Sequence, residues 1–368
     1  MRTKKIGYQF FAVLVIAATL LSACGPKAAS GQLNVIALPH DWCNYGGVID
    51  AFKAKYPSIT VNELNPDAGS GDEVEAIKAN KDNKGPQAPD VIDVGFAFGA
   101  SSKADGLIQP YKVATWDSIP ADAKDADGYW YGDYYGVLSF LVNTDIQPEV
   151  PKDWSDLLDP KYHGQVALSG DPRTSNQAAQ SVVAFEQAYQ SVLAAALTNG
   201  GSLNDSRPGL DYFAKLNGAG NLVPIAANTG TVANGETPIR ITWDYIALPT
   251  VDAFAGSPKA EVVIPATGRL AGMFVQAISA YAPHPNAAHL WMEFLYSDEG
   301  QTLLMNGYCH PIREADMRAR GAIPADLLAK VPDASGVVFP SLDQLSAAEE
   351  LITSNWDTVV GADIQGVP

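Results

Sequence analysis

The chain has 368 residues, a formal net charge of −17, 47% hydrophobic and 18% charged residues, and 3 cysteines. That length gives room for about two domains around a substantial core. The acidic balance excludes a binder of nucleic acid or anionic membrane surfaces, which needs a basic face, and three cysteines are too few for a disulfide scaffold.

Residues 1–24 read as an export segment. Arg2, Lys4 and Lys5 precede an uncharged, mostly apolar run from Tyr8 to Leu21. The run is too short to span a bilayer comfortably and sits where the apolar region of a secretory signal belongs. Leu21-Ser22-Ala23-Cys24 then resembles a bacterial lipobox, whose cysteine is acylated and becomes the first mature residue. On this reading residues 1–23 are a signal peptide, 24–31 a lipidated tether, and the acyl chains of Cys24 hold the protein outside a membrane without spanning it. Loss of three positive charges takes the mature chain to about −20. Cys43 and Cys309 are left in an oxidising compartment with three states open: a disulfide, two buried thiols, or a metal site with His40 and His310.

The next hundred residues alternate between strand and helix patterns. Leu33 to Leu38 reads as a strand ended by Pro39. Gly47 to Tyr56 puts Val48, Ile49, Phe52 and Tyr56 on one helical face, with Pro57 as the stop. Ile59 to Leu64 and Val91 to Val94 read as strands around a helix over Asp72 to Asn80. This β-α-β-α-β rhythm predicts a largely parallel sheet with helices on both faces.

An aromatic-rich loop over Asp127 to Gly136 leads into a strand to Asn143. A second set then begins: a short helix from Trp154 to Leu158, a strand over Gln165 to Ser169, and the longest helical pattern, Asn176 to Leu197. Asn199-Gly200-Gly201 ends that helix as a C-terminus should. Further patterns are a helix near Pro208 to Asn217, strands near Ile239 to Thr242 and Val262 to Ile264, and a return strand over Ala271 to Ala280. The remainder reads as helical pieces at Ala287 to Tyr296, Glu299 to Asn306 and Ser341 to Asn355.

Enzymatic templates fail. The sequence contains no Gly-x-Ser-x-Gly elbow, His-Glu-x-x-His, P-loop or Gly-x-Gly-x-x-Gly, and its five histidines form no compact cluster. The expectation is a protein without catalysis, cofactor or resident metal.

Pro151-Lys-Asp-Trp-Ser-Asp-Leu-Leu-Asp-Pro-Lys-Tyr-His-Gly-Gln-Val-Ala-Leu-Ser169, followed by Asp171-Pro-Arg-Thr-Ser-Asn176, resembles extracytoplasmic solute-binding proteins of ABC importers. The similarity is to the branch that includes ferric-ion, aminoethylphosphonate, hexose-phosphate, thiamine and polyamine binders. Gly136-Val-Leu-Ser-Phe-Leu-Val-Asn-Thr-Asp145 and Gly307-Tyr-Cys-His-Pro-Ile-Arg313 extend it in order along the chain. The resemblance implies an α/β, type II periplasmic-binding-protein-like fold of two lobes. Each would be a mostly parallel sheet flanked by helices, joined by two crossover strands and closing on a ligand. It places lobe 1 at 32–138 and 275–345, lobe 2 at 142–270, and a C-terminal helix and tail at 346–368. It also implies a monomer that works with a membrane permease and ATPase.

Ligand-facing residues of such a fold lie in loops at the carboxyl ends of strands. Trp42, Asn44 and Tyr45 offer a stacking face and hydrogen bonds; Phe96 follows the third strand. Arg173, Thr174, Ser175 and Asn176 open the long helix, where free backbone N–H groups favour an anion. Trp243, Asp244 and Tyr245 set a carboxylate between two aromatics, which suits an ammonium group. Tyr135 and Tyr308 are additional candidates. Ferric binders of the branch carry two adjacent tyrosines where this chain reads Asp244-Tyr245, which argues against iron. The sequence therefore predicts capture of a small zwitterionic or anionic organic solute such as an aminoalkylphosphonate, with a polyamine or other organic amine as the alternative.

Overall fold

The computed structural model describes residues 31–173 and 179–366. Cys24, Thr174, Ser175 and Asn176 lie outside the described residues. The elements in chain order are β1 (Gly31–Ile36), α1 (Tyr45–Lys55), β2 (Ile59–Leu64), α2 (Ser70–Ala79), β3 (Val91–Gly95), α3 (Phe96–Ala104) and β4 (Ile108–Gln109). The long strand β5 (Trp130–Asn143) follows, then β6 (Val166–Leu168), α4 (Ala179–Thr198), α5 (Arg207–Gly218), α6 (Thr229–Ala233), β7 (Ile239–Trp243), α7 (Asp244–Phe254) and β8 (Ala260–Val263). The chain returns through β9 (Ala271–Ser279) and ends in α8 (Pro285–Leu295), α9 (Asp298–Asn306), β10 (His310–Pro311), α10 (Glu314–Arg320), α11 (Ala325–Lys330) and α12 (Leu342–Val359).

The strands run in the order β2-β1-β3-β9-β5-β7-β6, with β8 and β10 also on β5 and β4 on β9. Parallel pairing is confined to β1–β2, β1–β3 and β6–β7; every ladder made by β5 or β9 is antiparallel. The sheet is thus mixed, because the strand that crosses between the lobes runs against its neighbours in both. Residues 130–137 of β5 pair with β9, and residues 138–143 pair with β7 and β8. All fourteen residues of β5 are buried, as a strand covered on both faces should be.

Local chemistry sets the helix ends. Ser341 and Gln344 form a reciprocal capping box at the start of α12, and the Ser297 hydroxyl accepts from Gly300 N–H at the start of α9. α12 packs against α4 and α5, so the C-terminal segment belongs spatially with the second sheet-forming half. One main hydrophobic cluster runs through both halves, with Trp154, Trp291 and Trp356 fully buried.

Two glycines let the second lobe press against the crossing strands. A Cβ at Gly136 would lie 2.2 Å from the Tyr245 ring, and one at Gly272 would lie 2.5 Å from the Trp243 ring. Tyr245 is therefore held against β5 and Trp243 against β9.

Candidate functional site

A cleft of about 320 Å³ opens where these elements converge. One wall is Phe96 and Phe98 at the start of α3, with Met273 and Phe274 on β9. The opposite wall is Phe185, Glu186, Tyr189 and Gln190 on α4, with Trp243 and Tyr245 at the end of β7 and start of α7. A third side comes from Phe339, Leu345 and Glu349, in and just before α12. The cleft walls contain aromatic rings and two carboxylates; no lysine or arginine lines them among the described residues. Burial, then the nearby charge of Glu349, pushes the Glu186 carboxyl up to about 7. Burial also raises the Glu349 carboxyl.

The aromatic residues brace one another. Trp42 meets Tyr245 edge to face at 5.2 Å and Phe274 at 6.2 Å, while its indole N–H donates to the Tyr134 hydroxyl at 2.7 Å. Tyr134 stacks on Phe274 at 5.3 Å, and Phe96 meets Trp130 at 5.1 Å. Of the sequence candidates, Phe96, Trp243 and Tyr245 line the cleft, and Trp42 supports two of its rings.

The other described candidates point elsewhere. Tyr45 is fully buried at the start of α1, where its hydroxyl donates to Asp133 and accepts from the Gln276 amide at 3.2 Å. Asn44 has a left-handed backbone (φ 59°) and donates to the Leu303 carbonyl at 2.9 Å, tying α1 to α9. Arg173 is held by three carboxylates: Asp171 at 2.8 Å, Asp357 at 2.9 Å and Asp363 at 2.7 Å. These bonds raise its pKa, with Asp171 foremost, and commit the guanidinium to the C-terminal tail.

Asp244 is the sharpest departure from expectation. The sequence suggests an ammonium-binding carboxylate, but this side chain is fully buried. Its Oδ1 accepts from the Val137 and Tyr245 backbone N–H groups, both at 2.9 Å, and its Oδ2 lies 2.7 Å from His310 Nε2. The other imidazole nitrogen lies 2.8 Å from Glu314 Oε2. Burial pulls the His310 pKa down, but Asp244 and Glu314 outweigh it and raise it to about 10, so the ring is a cation donating to both acids. Tyr135 completes this cluster, stacking on His310 at 5.0 Å and donating to Glu314 at 3.0 Å. Asp244 is thus a structural tie between β5, α7 and β10.

Cys43 and Cys309 form a disulfide with Cα atoms 5.3 Å apart. The neighbouring Tyr308 takes a left-handed backbone (φ 67°), donates its hydroxyl to Asp252 on α7, and receives Lys330 Nζ over its ring at 4.1 Å. Among the described residues no group of three or more His, Cys, Asp or Glu side chains could hold a metal ion. No helix there is long and apolar enough to cross a membrane.

Glu186, Gln190 and Glu349 are cleft residues that sequence reasoning did not single out. The signal on α4 was its spacing: positions 185, 186, 189 and 190 share one helical face, a pattern that reads equally well as core.

Mixed sheets joined by a crossing strand, with a cleft between them, make the two-lobe fold of type II periplasmic binding proteins. The chain belongs to the bacterial extracellular solute-binding protein family, whose model matches residues 87–334, more than half of its length. A probable ABC transporter periplasmic-binding protein of Sinorhizobium fredii is 31% identical over 122 residues, 32% of each chain. Iron uptake protein A1 of a Synechocystis species is 24% identical over 325 residues, 83% of this chain and 85% of the relative. Among solved structures, the periplasmic binding protein AfuA of Actinobacillus pleuropneumoniae, with exogenous fructose-6-phosphate bound, is similar with a TM-score of 0.62. It is 21% identical, over 90% of this chain and 99% of that one.

Proposed function

We propose that this chain is the solute-binding component of an ABC importer and that its cleft takes a small organic amine in the cationic form. Acylated Cys24 would tether it outside the membrane, where it would deliver the amine to a permease and ATPase. The observation that carries the reading is the cleft wall itself: Glu186 and Glu349 stand among aromatic rings, with no basic side chain on the described wall. A cation is attracted by carboxylates and by ring faces together.

The same observation reverses the order of the two solutes suggested by sequence. An aminoalkylphosphonate needs donors for its anionic end, yet Arg173 is occupied by Asp171, Asp357 and Asp363. Iron is disfavoured because Asp244, at the place where ferric binders carry a tyrosine, is buried against His310.

Calorimetry of the purified protein with 1,4-diaminobutane, 2-aminoethylphosphonate and ferric citrate tests this directly. The diamine binds, and Glu186→Gln weakens it about tenfold or more, as expected for losing one charge-assisted partner. Binding of the phosphonate or ferric citrate with no binding of the diamine overturns the amine reading.

A further inference from the structure

We infer that α12 is part of the ligand site, and that the cationic centre it helps to hold is a protonated amine bearing N–H donors, set between Glu186 and Glu349 with one N–H given to Gln190 Oε1. This rests on the amine reading above and narrows it.

Gln190 provides the independent observation. It lines the cleft at 5% exposure, its Nε2 lies 3.5 Å from the Tyr189 hydroxyl, and its Oε1 is buried with no hydrogen-bond partner. A buried amide oxygen left without a donor is costly, and native interiors rarely tolerate one without a reason. The surrounding wall also carries the hydroxyls of Tyr189, Tyr245 and Ser346 and the Trp243 indole, but none of them bonds to this oxygen among the described residues, and we assign the missing donor to the ligand. A quaternary ammonium has no N–H and would leave Gln190 Oε1 unpaired, even though the rings alone would accept it.

Glu349 supplies the geometric argument for α12. It lies on the exposed rim of that helix, beside Leu345, and both line the third side of the cleft. The Glu349 charge reaches Glu186, whose carboxyl is raised first by burial and then by Glu349 to about 7. Among the described residues, the other titratable groups facing Glu186 are the phenols of Tyr189 on its own helix and Tyr245 on α7, both raised further above their ordinary range by burial. No positive side chain balances this pair on the described wall. A cation seated between the two acids removes their mutual repulsion and keeps Glu186 ionised. Affinity therefore rises with pH as Glu186 loses its proton and falls as pH drops below about 7.

The test compares 1,4-diaminobutane with its fully N-methylated, bis-quaternary analogue by calorimetry. In the wild-type protein the diamine binds about tenfold or more tightly than the analogue, and Gln190→Leu narrows that gap by weakening the diamine alone. Glu349→Gln, on an exposed helix rim where folding is not at stake, weakens both probes. Equal or tighter binding of the quaternary analogue by the wild type overturns the N–H assignment. Unchanged affinity in Glu349→Gln overturns the role of α12. If both assignments fail while the diamine still binds, the inference falls and the amine reading stands; if neither probe binds, both fall.

Discussion

Asp133 sits fully buried on β5 with Asp93 on β3 of the same sheet and Glu73 close by, and among the described residues no lysine, arginine or histidine bonds to any of them. Burial pushes the Asp133 carboxyl up to about 7, and burial followed by the Asp133 charge raises Asp93. The Tyr45 hydroxyl donates to Asp133, while Asp93 Oδ1 and Asp133 Oδ1 have no hydrogen-bond partner among the described residues. A carboxyl whose folded pKa exceeds its ordinary 3.8 binds its proton more tightly in the native state. Its stabilisation is complete below about 4 and is lost as pH rises to about 7. Melting temperature should therefore fall between pH 5 and pH 8, and Asp133→Asn, which keeps the acceptor for Tyr45, should raise it at pH 8 more than at pH 5. An equal shift at both values would sink this assignment. Sequence reading recognised polar residues such as Asp244 and Tyr45 as meaningful but not where they face. Their partners, His310 and Asp133, come from distant segments, and no local pattern encodes those meetings.

Elements were the most legible level. Ile59–Leu64 appears in the structure with the bounds read from the sequence, and α1 stops beside Pro57 as its proline signal requires. The direction of pairing was less accessible: β5 and β9 lie antiparallel to every strand they pair with, which apolar runs cannot reveal. The third wall of the cleft was also hidden. α12 has an ordinary capped start, and its position against α4 and α5 is set by Trp356 and other packing contacts far along the chain. The disulfide acts at this same scale, fastening the N-terminal end of α1 to the loop after α9. It closes a loop of 266 residues, so its removal frees a large unfolded ensemble. The double variant Cys43→Ser, Cys309→Ser should lose roughly 2–5 kcal/mol in urea unfolding. Identical unfolding midpoints for the variant and the oxidised protein would show that the bridge contributes nothing to stability.

Two kinds of contact join the lobes, and they differ in what closure asks of them. The Asp244–His310 pair is buried beside β5, where the chain crosses, and it can persist while the lobes rotate about that strand. The Tyr308–Asp252 bond is different, because it connects the disulfide-bound loop after α9 to the far end of α7, and its carboxylate is exposed. Rotation about β5 that opened the cleft would separate these two side chains before it disturbed the buried pair. In the described structure Tyr308 is fixed on one side by its neighbour Cys309, which is disulfide-bonded, and by Lys330 over its ring. A single hydrogen bond to a solvent-facing carboxylate contributes about 1 kcal/mol, enough to change a dissociation rate about fivefold. Tyr308→Phe keeps the ring and the Lys330 contact but removes the hydroxyl. It should release bound amine about fivefold faster in stopped-flow measurements and show a larger radius in solution scattering at subsaturating ligand. An unchanged release rate together with an unchanged radius would mean that closure is held by the aromatic walls of the cleft alone.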